Sequence, residues 1–136
     1  MEPAAEDEAV PEPVPDSPIL DPSALAELGA STGDDTAFVV ELVETYLSDA
    51  AGQLVAIEAA IADGNADALV RPAHTLKSSS ATVGARRLAD TSRRLELAGR
   101  SGAIDETGRA DAVVVRADWD AARAALQEWL AEARAR

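Results

Sequence analysis

The sequence predicts an all-α protein, an antiparallel four-helix bundle with a short additional N-terminal helix. Three observations carry that prediction. Apolar residues recur at helical spacing from Phe38 through Leu42, Val43, Tyr46, Leu47, Ala50, Leu54 and Ile57 to Ile61, and again at Val115, Trp119, Ala122, Leu126, Trp129 and Ala133. The break at Gly64-Asn65 is too short for anything but an antiparallel neighbour. Only 3% of residues are aromatic while Ala, Leu and Val dominate, which suits close helix packing better than a sandwich core.

The elements follow in order. Residues 1–18 hold Glu2, Glu6, Asp7, Glu8, Glu12 and Asp16, no Lys or Arg, and five of the seven prolines. Such a stretch buries too little apolar area to offset its ordering entropy, so it reads as a disordered acidic tail or linker, with residues 19–136 forming the bundle. Ile19 and Leu20 are expected to tuck onto that bundle. Asp21-Pro22 starts a short helix and Gly29 is its expected stop. Asp34 or Asp35 caps the second helix, and Asn65 caps the third. Pro72 lies inside the third helix, where it removes the bond to the Ala68 carbonyl and is expected to bend the chain. That helix should end around Gly84. A fourth turns Leu88, Ser92 and Leu95 inward and is closed by Gly99 and Gly102. The last spans roughly 108 to 134, with Trp119 and Trp129 as core or edge anchors.

Composition narrows the function. At 136 residues the chain has room for one core. It has no Cys and one His, which argues against disulfides, a thiol nucleophile and a conventional zinc site. A net charge of −13 argues against nucleic acid or an anionic membrane as a whole-surface partner. No apolar run is long enough to span a bilayer and the start is acidic, so a cytoplasmic monomer is expected.

The chemistry concentrates between residues 70 and 100. His74 and Lys77 are the only histidine and the only lysine. Leu69, Ala73, Leu76, Ser80 and Val83 share one side of a helix. His74 falls roughly 140° from the middle of that stripe, with Arg71, Ser78 and Ala81 beside it and Val70 and Lys77 at its flanks. The imidazole should therefore face water among cations spaced one turn away. Residues 71–100 carry Arg71, Lys77, Arg86, Arg87, Arg93, Arg94 and Arg100 against Asp90 and Glu96, a basic hairpin on an acidic protein. Such asymmetry steers an anionic partner, and Val70, Ala81, Arg86 and Arg87 are the expected docking residues. A neutral imidazole is a good nucleophile near neutral pH. Phosphoryl transfer to it would be helped by Lys77 and Arg71, which offset charge, and by a hydrogen bond from Ser78. There is no Gly-rich phosphate loop, no Walker-type motif and no carboxylate pair near His74 for Mg²⁺, so the chain reads as one without its own ATP-binding or kinase motif.

The run His74-Thr75-Leu76-Lys77-Ser78-Ser79-Ser80-Ala81-Thr82-Val83-Gly84-Ala85, with Leu88 and the pair Leu95-Glu96, resembles the signature of histidine-containing phosphotransfer (HPt) domains of two-component phosphorelays. The matching positions are His74, Leu76, Lys77, Ser79, Ser80, Gly84, Ala85 and Leu88, and the likeness extends loosely over residues 20 to 133. Ser78 stands where the family usually has Gly, and Pro72 is unusual in the helix. The resemblance implies that His74 is the phosphoacceptor, that Lys77 neutralises charge beside it and that Gly84 ends the helix. It also implies response-regulator receiver domains, or a hybrid histidine kinase, as partners, with Mg²⁺ supplied by the receiver. Two alternatives remain at this point. One is a helical adaptor without phosphorylation, and the other is the phosphoacceptor domain of a chemotaxis-type histidine kinase.

Overall fold

A computed structural model of the chain describes residues 17–136 and contains, over them, five helices and no strand. They are α1 (Pro22–Ser31), α2 (Thr36–Ala62), α3 (Ala66–Val83), α4 (Arg86–Arg100) and α5 (Glu106–Ala135). Helices α2 to α5 close a ring in which each packs on its chain neighbours and α5 returns to α2, while α1 lies across α2 and α3. Four of the five start on a short polar side chain. Asp21 accepts from the Ser23 N–H, Asp35 from Phe38, Asn65 from Ala68 and Asp105 from Gly108. Each such cap is worth about 1 kcal/mol.

The core is aliphatic. Leu54, Ile57, Leu69, Leu76, Leu88, Leu95, Val115 and Leu126 are buried, and Trp119 meets Tyr46 edge to face at 6.2 Å. Truncating any of these leucines to Ala should cost about 2–5 kcal/mol. On α2 the buried stripe is Val39, Val43, Tyr46, Ala50, Leu54, Ile57 and Ala60, so Phe38 is exposed rather than inward. On α5 Leu130 is buried and Trp129 only partly so.

Several boundaries differ from expectation. α1 continues past Gly29 to Ser31 and is closed by Thr32, whose Oγ1 donates to the Leu28 carbonyl at 2.8 Å. α4 likewise runs through Gly99 to Arg100, and Gly99 has a packing role instead. A Cβ there would lie 2.9 Å from both the Ala66 carbonyl oxygen and Val70 Cγ2, so its absence lets α3 and α4 approach closely. α3 holds Pro72 inside it and ends at Gly84, as expected.

Most of the acidic tail, residues 1–16, lies outside the described residues. The last two residues assigned to it do not hang free. The α4 N-cap is Ala85, whose side chain accepts nothing, so the first N–H groups of α4 need other acceptors. The Pro18 carbonyl takes the Arg87 N–H at 3.1 Å, the Ser17 carbonyl takes Arg87 Nε at 2.9 Å, and Ser17 Oγ donates to Asp90 at 2.6 Å. The seam continues at Gly84, which has φ +87° and whose carbonyl accepts the Asp21 N–H at 2.8 Å. A Cβ on Gly84 would sit 2.5 Å from the Asp21 carbonyl oxygen. Gly84 therefore both ends α3 and admits the N-terminal segment.

Candidate functional site

Burial of Leu69, Ala73, Leu76, Ser80 and Val83 fixes the rotation of α3 and turns His74 outward, its side chain 53% exposed. The close approach at Gly99 brings α4 alongside. From α4, Glu96 reaches across so that Oε2 lies 3.0 Å from His74 Nδ1 and Oε1 lies 2.8 Å from Lys77 Nζ. Arg100, one turn along α4, donates Nη2 to Oε2 at 2.7 Å and Nε at 3.1 Å. The Glu96 side chain is 6% exposed, an acid closed over by three nitrogen partners.

The electrostatics follow from those contacts. Lys77 first, then Arg100, hold the Glu96 carboxyl down at about 2, against burial pushing it up, with His74 adding to the pull. Glu96 is thus a fixed anion, and a fixed anion on Nδ1 selects the tautomer that carries its proton there. Nε2, which makes no hydrogen bond among the described residues, keeps its lone pair and faces solvent.

The other expected site residues fall into three groups. Arg71 and Ser78 are exposed on the His74 side of α3, and neither side chain has a partner among the described residues. Ala81 is exposed one turn further on, and Val70 lines an open cleft of about 830 Å³ with Gly99 and Arg100. Lys77 is not free to meet an incoming anion alone, because it is engaged on Glu96. Arg86 and Arg87 are committed elsewhere: Arg86 Nε pairs with Asp21 at 2.9 Å, and Arg87 holds Ser17 and Pro18. At about 1.5 Å per residue, that seam starts roughly 15 Å along α3 from His74.

Ser80 faces inward as expected, and its Oγ pairs with Tyr46 OH of α2 at 2.7 Å. Burial pushes that phenol up to about 12, so it remains a neutral structural partner. Ser79 makes the backward bond, to the Thr75 carbonyl at 3.0 Å.

Glu96 and Arg100 are the residues that sequence reasoning did not assign to the site. The available signal was position. Glu96 adjoins the apolar stripe Leu88, Ser92, Leu95 and Gly99 of α4, where a solvated carboxylate has no place.

Among the described residues no cluster of three or more His, Asp or Glu side chains could hold a metal ion, and no helix is long and apolar enough to cross a membrane. The Hpt domain family matches residues 41–136. No curated protein sequence gives a match. Among solved structures, the chain is similar to the crystal structure of histidine-containing phosphotransfer protein B (HptB) from Pseudomonas aeruginosa PAO1. The TM-score is 0.75 at 27% identity, over 85% of this chain and 97% of that one.

Proposed function

The chain belongs to the Hpt domain family, and from that premise we propose that it carries a phosphoryl group on His74 between aspartates of receiver domains. The observation that carries this reading is the 3.0 Å contact of His74 Nδ1 with the nearly buried Glu96 carboxylate, on an imidazole whose other edge is open.

The chemistry is a reversible transfer. The Nε2 lone pair attacks the phosphorus of an aspartyl phosphate, the N–P bond forms, and the P–O bond to the aspartate breaks with its electron pair. The imidazole gains positive charge as it attacks. The Nδ1–H stays on Glu96 Oε2 throughout, so the carboxylate offsets that charge without taking the proton. Arg71, the cation nearest along α3 with no partner among the described residues, is placed to meet the phosphoryl oxygens. The reverse step hands the group to another aspartate and returns the same tautomer.

Nothing in this sequence of steps uses ATP, and Hpt domains act as phosphotransfer intermediates, not kinases. Mg²⁺ belongs to the receiver's acidic pocket. The basic side of the α3–α4 hairpin favours such a partner through Arg71, Arg93 and Arg100, while Arg86 and Arg87 are engaged with Asp21, Ser17 and Pro18. Residues 1–16 are read as a tail outside this unit, which begins at the Ser17 seam.

Incubation with a phosphorylated receiver domain tests the proposal. It should give an acid-labile, base-stable label that is absent from His74→Gln. A label surviving that substitution removes His74 from the role. Normal partner binding without any label favours the adaptor reading.

A further inference from the structure

We propose that Arg100 is a positioning residue for this transfer: it holds the Glu96 carboxylate against His74 and offsets its charge, so that the imidazole stays neutral and presents Nε2. The inference deepens the assignment of His74 as phosphoacceptor and rests on it.

The contacts are unequal in a way that an ordinary surface pair is not. Both Nε and Nη2 of Arg100 donate to Oε2, the same oxygen that accepts from His74 Nδ1, while Lys77 takes Oε1. An i, i+4 pair on an open helix face contributes little. Here the acid is 6% exposed and the arginine 56%, so Arg100 covers the carboxylate from the solvent side. Its planar fork fixes where Oε2 points, which a mobile ammonium would do less well.

Charge gives the second part of the argument. With Glu96 ionised, Lys77 and Arg100 already leave the cluster one positive charge in excess, and protonating His74 would add another. Without Arg100, a carboxylate shared by one lysine and the imidazole favours imidazolium, which has no lone pair on Nε2. Other charged groups on the elements around His74 are Arg71 on α3, Asp67 two turns earlier on α3 in the cleft that Arg100 lines, Arg93 on α4, and Asp49 of α2, which lies beyond Thr75 and Ser79 on the far flank of α3. None of them bonds to Glu96, so substituting Arg100 leaves them as they are.

The test is the rate of phosphoryl transfer from one phosphorylated receiver domain to the full chain, measured from about pH 5.5 to 9. Each variant is expressed relative to the unsubstituted protein at the same pH, so titration of the receiver cancels. Arg100→Gln should shift the rise in rate to higher pH by on the order of one unit, slowing transfer several-fold near pH 6.5 and recovering at alkaline pH. Arg100→Lys should restore most of the profile. In a Glu96→Gln background, Arg100→Gln should produce no shift, because the charge it offsets is gone. Three results overturn the inference: an unchanged rate, a loss equal at every pH, or a shift that persists without Glu96. A loss equal at every pH would mark direct contact with the phosphoryl group or a merely structural role. If the unsubstituted protein takes no label on His74, the assignment of His74 itself fails. If it labels normally and Arg100→Gln leaves the profile in place, only the role of Arg100 fails.

Discussion

Replacing Glu96 by Gln removes the charge at the centre of the site while keeping its shape. Three donors lose an anion: His74, Lys77 and Arg100, with side chains 53%, 31% and 56% exposed. Stranding fully buried charges would cost about 3–5 kcal/mol, but these donors can rehydrate where they stand. The expected loss of folding stability is therefore about 1–2 kcal/mol at neutral pH. The sign with pH is set by the carboxyl, held at about 2 against its ordinary 4.5. A depressed folded value contributes stability above the unfolded value and loses it as pH falls toward the folded one. The difference between the two proteins in urea unfolding should thus be full above pH 4.5 and shrink as pH approaches 2. Asp118, whose carboxyl burial pushes up, titrates in both proteins and cancels in that difference. Phosphoryl transfer to His74 should slow about ten- to a hundred-fold, because a charge-assisted bond that orients Nδ1 is worth about 1.5–3 kcal/mol. Transfer at the unsubstituted rate, or a stability difference that stays constant down to pH 2, would refute the reasoning.

Four further outcomes follow from particular positions. Gly84→Ala should destabilise by about 2–4 kcal/mol in denaturant titration, since it combines a positive φ with a Cβ 2.5 Å from the Asp21 carbonyl. Gly33→Ala, with φ +73° and open space around it, should lose only the conformational part, about 1 kcal/mol. Arg87→Ala should lower stability by about 1 kcal/mol and speed amide exchange in residues 17–21, while the receiver's association rate stays the same. A slowed association rate would return Arg87 to the docking surface. Ser78→Gly should cost about 0.5 kcal/mol of stability and widen the range of receivers accepted, because Ser78 is exposed one turn from His74. Equal transfer to every receiver tested, before and after substitution, would mean that partners do not dock over this turn.

The parts of the fold set by local rules were legible in the sequence. The stripe Leu69, Ala73, Leu76, Ser80 and Val83 fixed the rotation of α3, and with it the exposure of His74, before any tertiary contact was known. Asp21, Asn65 and Gly84 acted at their expected ends because caps and left-handed stops are properties of one turn. α2 was ambiguous, since Phe38 and Val39 both begin runs of apolar residues at helical spacing. Packing of α1 decides for Val39, whose Cγ2 lies close to Gly29. Periodicity could set Glu96 beside the buried stripe of α4 but could not give its partners or the role of Arg100, because these depend on the distance between two helices, which Gly99 sets. The partners of Arg86 and Arg87 were out of reach for the same reason. Nothing local says that the N-cap Ala85 leaves the Arg87 N–H for the Pro18 carbonyl, or that the Arg87 side chain reaches the Ser17 carbonyl.

The most direct measurement is which nitrogen takes the phosphoryl group. Phosphorus-31 and nitrogen-15 NMR of the protein, labelled by a phosphorylated receiver, should show one phosphohistidine, at His74, with phosphorus on Nε2 and the proton retained on Nδ1. Phosphorus on Nδ1, or on any residue other than His74, would contradict the account, because the 3.0 Å contact with Glu96 leaves no room for a phosphoryl group on that edge of the ring.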